Sequence, residues 1–389
     1  MTIRGLLWVA LVLLGPAARG QTLEVRADPR VDLVGLVQQL AGDSGFQPRP
    51  PLQRALARFA PWRGHPAVAR LKRLAARGFN GNLPSQYAVY LTATVPLQER
   101  YPVPSFFAQA CGGRAELDAF RAELDDFARQ SGFFAWEAST ESPAGLLAAA
   151  LKRNMGGVDI ERPLVDYLGL RPWRRWMVVP SVFFRPGGGS SWIVEEKPGL
   201  PDVYAILGPR WDGETPSFGT PADIASYAWA EPTYAAAYVM YEACRPLARA
   251  AQGVCSETPW LKNVEDCVES QWVGAVISRL ERRLFQAPPP RPGRRQLTRW
   301  RPALDGVLAR YEKDRARFPD LVSLTGPLFA PLQADRKAPA CRLVDRGRLS
   351  DPVYARRLRI YGLARLARGP DPELERLRDE LGWKEPASP

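Results

Sequence analysis

The chain has 389 residues, of which 46% are hydrophobic and 10% aromatic, so it can bury a substantial core and is long enough for more than one domain. This composition excludes an intrinsically disordered chain. The net charge of +12 would suit nucleic acid or an anionic membrane as a partner. However, its arginines are scattered, and its richness in Arg, Ala, Pro and Gly is what a GC-rich genome produces. We therefore predict no nucleic-acid partner.

The N-terminus has the pattern of a cleavable secretory signal peptide. Arg4 precedes an apolar run from Gly5 to Gly15, and the small residues Ala18 and Gly20 occupy the positions that a signal peptidase reads. The apolar run is shorter than the ~20 residues needed to span a bilayer. We predict cleavage after Gly20, a mature chain that begins at Gln21, a secreted or periplasmic location and no membrane span.

Residues 21–170 are predicted to form an N-terminal helical region. Thr22–Arg26 alternates in polarity and predicts a short strand. Asp28 and Pro29 then provide a helix start signal. Apolar residues at helical spacing predict the helices Val31–Leu40, Leu52–Phe59, Pro66–Gly78, Ala115–Ser131 and Pro143–Met155.

The segment 171–286 is predicted to form strands first and then two long helices. Three runs rich in β-branched and aromatic residues are separated by Gly187–Gly189 and Lys197–Gly199, which predicts an antiparallel meander of Trp176–Phe184, Ser191–Glu195 and Asp202–Leu207. Gly187–Gly189 lacks the spacing of a phosphate loop and is predicted to be a hairpin turn. Two helices follow, Ile224–Ala250, which Pro246 should kink or end, and Leu261–Phe285.

The last part of the chain is predicted to be a Pro/Arg-rich linker, 287–302, followed by a C-terminal helical region, 303–389. The predicted helices there are Leu304–Phe318, Asp351–Leu366 and Pro372–Leu381. The order of elements predicts an α+β fold that is mostly helical with a small antiparallel sheet.

Short motifs occur in a fixed order along the chain: Asp28–Leu33, Gly64–Val68, Gly187–Trp192, Val203–Gly208, Tyr241–Arg245 and Glu269. Together they resemble a bacterial family of exported proteins of unknown function, which is itself similar to zincin metallopeptidases of the gluzincin type. The resemblance covers roughly residues 24–284. It implies a zincin-like core over 171–286, with a strand meander, an active-site-type helix and a following helix.

Gluzincins bind zinc through the two histidines of an H-E-x-x-H helix, and the Glu between them activates water. By the resemblance, Tyr241 and Arg245 replace these histidines, Glu242 retains the position of the general base, and Glu269 that of the third ligand. The only histidine of the chain, His65, lies in a Gly-His-Pro turn and is predicted to be a turn residue beside a helix N-cap rather than a catalyst. A guanidinium cannot coordinate a metal because it stays protonated. We predict no metal and no cofactor.

Tyr241 and Arg245 are one turn apart on a helix, so Arg245 can pair with Glu269 and join the two helices where the resemblance places zinc. The resemblance then implies a pseudo-peptidase that binds a peptide or protein in the inherited cleft or has a structural role in the envelope. The alternative is an active hydrolase that uses Glu242 and Glu269 with an unassigned metal or none. A third interpretation treats these residues as ordinary polar residues of a helix.

The chain has five cysteines, which would form disulfides in an oxidising compartment. Cys255–Cys267 is the first prediction, with Cys244–Cys255 close behind. Cys111 and Cys341 could form a second, long-range pair, which leaves Cys244 free.

Overall fold

The computed structural model describes residues 23–42, 46, 49–169, 174–197, 200–243, 264–286 and 301–324, and the side chains of 195–197, 200–201, 238–243, 264–269, 301 and 322 lie outside that description. The fold is α+β, as the sequence predicts. The predicted helices Asp351–Leu366 and Pro372–Leu381 and nearly all of the predicted linker fall outside the described residues.

The N-terminal half consists of one strand and a series of helices. The strand β1 (Leu23–Val25) leads directly into α1 (Pro29–Leu40), where the Asp28 side chain accepts a hydrogen bond from the Arg30 backbone N–H and caps the helix. The helices that follow are α2 (Pro50–Arg58), α3 (Pro66–Arg77), α4 (Leu83–Ala88), α5 (Ser105–Cys111), α6 (Arg114–Ser131), α7 (Phe133–Glu137), α8 (Ala144–Met155) and α9 (Glu161–Leu168).

The main sheet is mixed, so the predicted antiparallel meander is wrong. Its four strands lie in the order β1, β2 (Arg175–Pro180), β4 (Leu200–Leu207) and β3 (Gly189–Lys197). β2 is parallel to both β1 and β4, and only β3 and β4 form an antiparallel hairpin. The loop at Gly187 does not join two paired strands; instead its backbone N–H donates to the Gly208 carbonyl oxygen at 3.0 Å. The short strands β5 (Arg210–Asp212) and β6 (Thr215–Ser217) form a separate hairpin.

Two helices replace the single one predicted over 224–250. α10 (Pro221–Ala228) ends at Trp229, and α11 (Ala230–Ala243) begins directly after it. Pro232 accounts for the break, because a continuous helix would need its missing N–H to bond with the Ala228 carbonyl. The predicted kink at Pro246 lies outside the described residues. α12 (Val264–Phe285) and α13 (Arg301–Lys313) follow, each within three residues of its predicted start.

A contiguous hydrophobic core joins the sheet to the helices around it. Its largest fully buried side chains include Trp176 and Tyr204 in neighbouring strands, Phe107 in α5 and Trp229 between α10 and α11. Within the described residues, α13 packs against α12, so the first helix of the C-terminal region is attached to this core. No helix among the described residues combines the length and apolar character needed to cross a bilayer.

Candidate functional site

Three of the segments that carry the resemblance lie at one edge of the main sheet: Gly187–Trp192, which runs into β3, and the helices that contain Tyr241 and Glu269. β3 is the terminal strand there, and α11 packs both against β3 and against α12. The part of the chain predicted to hold the active-site-type helix and its following helix therefore forms two adjacent helices beside an edge strand.

Side-chain hydrogen bonds fix the start of β3 to its surroundings. Ser191 Oγ accepts a 2.7 Å bond from the backbone N–H of Glu231, in the first turn of α11, where that N–H has no partner within the helix. The indole N–H of Trp192 donates to the Tyr90 hydroxyl at 2.9 Å, and the Gln86 amide donates to Ser190 Oγ at 3.1 Å. β3 is thus anchored to α11 on one side and to the segment after α4 on the other.

The predicted site residues are distributed over α11 and α12. Tyr241 and Glu242 lie in the last turn of α11 and Glu269 lies in the second turn of α12, while Arg245 is outside the described residues. Next to Glu269, Ser270 Oγ lies 3.4 Å from the Tyr234 hydroxyl, which brings this turn of α12 to the middle of α11. Tyr241 lies seven residues beyond Tyr234, about 10 Å along the helix.

His65 is the N-cap of α3, which confirms the prediction of a turn residue at a helix start. Its Nδ1 accepts a hydrogen bond from the backbone N–H of Ala67 at 3.2 Å. Its Nε2 lies 3.3 Å from a carboxylate oxygen of Asp126, and the ring packs edge-on against Phe127 at 5.3 Å. The Nδ1 bond and the packing against Phe127 hold the ring in place, in keeping with a structural role.

Two of the cysteines in the predicted disulfides lie among the described residues. Cys111 is a free, buried thiol at the end of α5, so the predicted pair with Cys341 is not formed in this structure. Burial raises the pKa of its thiol to about 12, which keeps it protonated and unreactive. Cys267 lies in α12, whereas Cys244, Cys255 and Cys341 are outside the described residues.

A buried ion pair lies at the start of α1, within the motif Asp28–Leu33. The Arg30 guanidinium binds both Asp28 oxygens, at 2.9 and 2.5 Å, and donates to the carbonyl oxygens of Val89 and Leu91 at 2.8 and 2.9 Å. Burial opposes ionisation of Asp28, but the charge and hydrogen bonds of Arg30 outweigh it and hold the pKa of that carboxyl below its usual value. This pair connects the first helix to the segment after α4.

A second buried group, next to the first, consists of two carboxyls. Asp32 in α1 and Glu137 at the end of α7 lie close enough for each to affect the ionisation of the other. Ser181, just after β2, donates to Asp32, and Ser142 donates to Glu137 at 2.9 Å. Burial and the neighbouring Glu137 raise the pKa of Asp32 well above its usual value, and burial raises the pKa of Glu137 to about 7. The two groups therefore share a proton at mildly acidic pH.

Within the described ranges, no cluster of three or more His, Cys, Asp or Glu side chains is arranged to hold a metal ion. Comparisons of the chain with models of protein families, with curated proteins and with solved structures give no match.

Proposed function

We propose that the mature chain is an exported, zincin-like protein without zinc, which binds a peptide or protein in a cleft beside β3 and does not hydrolyse it. The packing of α11 against both β3 and α12 is the observation that carries this proposal. It puts the positions of Glu242 and Glu269 on neighbouring helices beside a terminal strand. The resemblance to gluzincins implies that these two glutamates lie on neighbouring helices, and the packing of α11 against α12 supports that part of the proposal.

The peptide-binding part of the proposal uses the position of β3 in the sheet. An extended peptide can add to a terminal strand through main-chain hydrogen bonds. Ser191 and Trp192 hold β3 through side-chain bonds to α11 and to Tyr90. A strand held in this way is preorganised, which lowers the entropic cost of ordering it on binding.

The metal-free part of the proposal rests on the sequence. One histidine cannot supply the H-E-x-x-H pair, and His65 is committed to the start of α3. In this proposal the Arg245 cation takes the place of zinc and pairs with Glu269, because burying the two carboxylates of a zincin-like site without any cation would be costly.

Zinc analysis and a hydrolysis assay on the purified mature protein test the proposal. We expect well below one zinc per chain and no cleavage of casein. Stoichiometric zinc would overturn the metal-free site. Casein cleavage that Glu242→Gln abolishes would establish the alternative hydrolase. Glu214→Gln is the matched control, because Glu214 is an exposed carboxylate on the β5–β6 hairpin that pairs with Arg54.

A charge-swap cycle tests the ion pair itself. Arg245→Glu and Glu269→Arg should each lower the free energy of unfolding, and the double variant should recover most of the loss. Additive losses in the double variant would show that the two residues do not interact. Arg245 would then have another role.

A further inference from the structure

A cavity lies away from β3, between α9, α12 and the segment from α13 to Arg315. Its volume is about 500 Å³, within the range of sites that hold small organic molecules. One part of its wall is apolar and consists of Pro163, Leu280 and Leu284. Leu284 is 38% exposed, which is unusual for a large hydrophobic side chain of this protein.

The acidic side chains that line the cavity are already engaged by other groups. Glu312 binds the Arg279 guanidinium through both oxygens, at 2.7 and 2.6 Å, and accepts from the Tyr167 hydroxyl at 2.9 Å. Asp159 accepts from the first backbone N–H groups of α9 at 2.9 and 3.1 Å. Asp166 lies 3.6 Å from Arg162. These carboxylates therefore already have partners within the protein.

Two lining arginines have no carboxylate partner among the described residues. Arg315 donates to the carbonyl oxygens of Tyr167, Asp166 and Pro319, at 3.1, 2.9 and 2.9 Å. Its guanidinium also lies 4.1 Å from the centre of the Tyr311 ring. These neutral partners fix its position without cancelling its charge.

The second of these arginines, Arg283, is exposed and makes no hydrogen bond or ion pair within the described part of the chain. Burial is the main cause that lowers the pKa of Arg315, and the charge of Arg283 lowers it further, although the charges of Asp320 and Asp166 partly offset this. Two cations thus repel each other at the same cavity, and an anion between them would relieve that repulsion.

We propose that this cavity binds an organic anion, whose carboxylate or phosphate group lies between the guanidinium groups of Arg283 and Arg315 and whose apolar part lies against Pro163, Leu280 and Leu284. Guanidinium groups suit such anions because their N–H groups match two oxygens at once. The site is independent of the proposed peptide cleft. Arg283 is fourteen residues from Glu269 on α12, about 21 Å along the helix.

Isothermal titration of the full mature chain with hexyl phosphate, hexanoate, inorganic phosphate and hexan-1-ol tests this site. We expect saturable binding of hexyl phosphate or hexanoate, at least ~10-fold weaker binding of inorganic phosphate, and none of hexan-1-ol. The stronger of the two hexyl ligands identifies the head group. If neither binds, the proposal is overturned.

Single substitutions separate the proposed site from a general effect of positive charge. Arg283→Ala should weaken the hexyl ligand by about 10-fold, as expected for a lost charge-assisted hydrogen bond. Arg282→Ala is the matched control, because it removes the same charge from the neighbouring position, where Arg282 faces Asp305 at 3.8 Å. Equal weakening by both variants would overturn the site.

A second variant tests the apolar wall without altering the charges. Leu284→Ala should reduce the advantage of hexyl phosphate over inorganic phosphate and leave the affinity for inorganic phosphate unchanged. An unchanged advantage would contradict the proposed orientation. Because Leu284 is partly exposed, this substitution leaves the core intact.

Discussion

Two adjoining buried groups near the start of α1 differ in their ionisation: one is a permanent ion pair and the other retains a proton. Asp28 remains ionised because the Arg30 guanidinium binds it directly. Asp32 and Glu137 instead face each other and are held by serine hydroxyls, so the pair is stable only while it retains a proton. Asp28 and Asp32 are four residues apart, so about one helical turn separates a permanent ion pair from a pair that titrates.

The carboxyl pair predicts how stability depends on pH. The pKa of Glu137 is raised to about 7 in the folded chain, so the folded state holds a proton that the unfolded state releases near pH 4.5. Stability should therefore fall as the pH rises from about 4.5 to 7, with a loss on the order of 3 kcal/mol from this group. Below about pH 4.5 the full contribution of this group to the stability is present.

Glu137→Gln should flatten this fall, because the amide cannot ionise and can donate to Asp32. Urea unfolding at pH 5 and pH 8 measures the difference between variant and parent. Glu141→Gln is the matched control, since Glu141 is exposed and pairs with Arg58. The pKa of Glu161 is also raised to about 7 by burial, but its effect is common to all three proteins and cancels. A variant with the same pH slope as the parent would refute the shared proton.

At the level of elements, α10 approaches β3 very closely at a glycine. A Cβ atom at Gly189 would lie 2.3 Å from the Tyr227 ring, well inside van der Waals contact. The Tyr227 hydroxyl donates to the Gly187 carbonyl oxygen at 2.8 Å, so the ring cannot move aside without losing that bond. Gly189 therefore sets the distance between the helix and the strand.

Two glycine substitutions with opposite expected signs test this contact. Gly189→Ala should lower the free energy of unfolding by about 1–3 kcal/mol through overpacking. Gly306→Ala, on the exposed side of α13 where nothing lies within 4 Å of the added Cβ, should raise it by about 0.5–1 kcal/mol. Thermal or urea unfolding of both variants measures the effects. A neutral Gly189→Ala would mean that α10 is free to shift.

The elements predicted well are those with a long local signal. The sequence predicts α6 as Ala115–Ser131 and the structure has it at Arg114–Ser131, because Leu117, Phe120, Leu124 and Phe127 repeat on one face over about three turns. The short helices α4, α5 and α7 were missed because five to seven residues give too little periodicity. The sequence predicts an antiparallel sheet because turn signals are local. The parallel partners of β2 are β1, far earlier in the chain, and β4, which follows only after β3.

The candidate sites, like the secondary-structure elements, could be predicted only where their signal is local in the sequence. Glu242 and Glu269 could be singled out because their motifs are contiguous in the sequence. The anion cavity takes Arg283 from α12, Arg315 from the segment after α13 and part of its apolar wall from α9, so no motif contains it. The Asp32–Glu137 pair was missed for the same reason, since its partners are 105 residues apart.

At the scale of the whole molecule, the N-terminal strand closes one side of the sheet. Leu23, Glu24 and Val25 pair with Trp176, Met177 and Val178 of β2, and the Arg26 backbone N–H extends the ladder to the Val178 carbonyl oxygen at 3.3 Å. Residues near the predicted mature N-terminus are therefore structural parts of the core sheet.

A truncation tests the structural role of β1. A chain that starts at Ala27 should unfold at a lower temperature than one that starts at Gln21, because it exposes the edge of β2 and removes two half-buried apolar residues, Leu23 and Val25. Differential scanning calorimetry of the two chains measures the change. The substitution Glu24→Gln in the longer chain controls for the lost charge. Equal melting temperatures would show that β1 adds nothing to stability.

The pairing of Leu23 with Trp176 also sets the order of events during synthesis. β1 is made first, but its partner leaves the ribosome about 150 residues later, a delay on the order of ten seconds at 5–20 residues per second. Throughout that interval the nascent chain carries an apolar strand with no neighbour, and the α1–α9 helices accumulate behind it. The sheet can form only once β2 and β4 have emerged. The core of this protein therefore cannot form from the N-terminal residues alone and is completed when the middle segment is available.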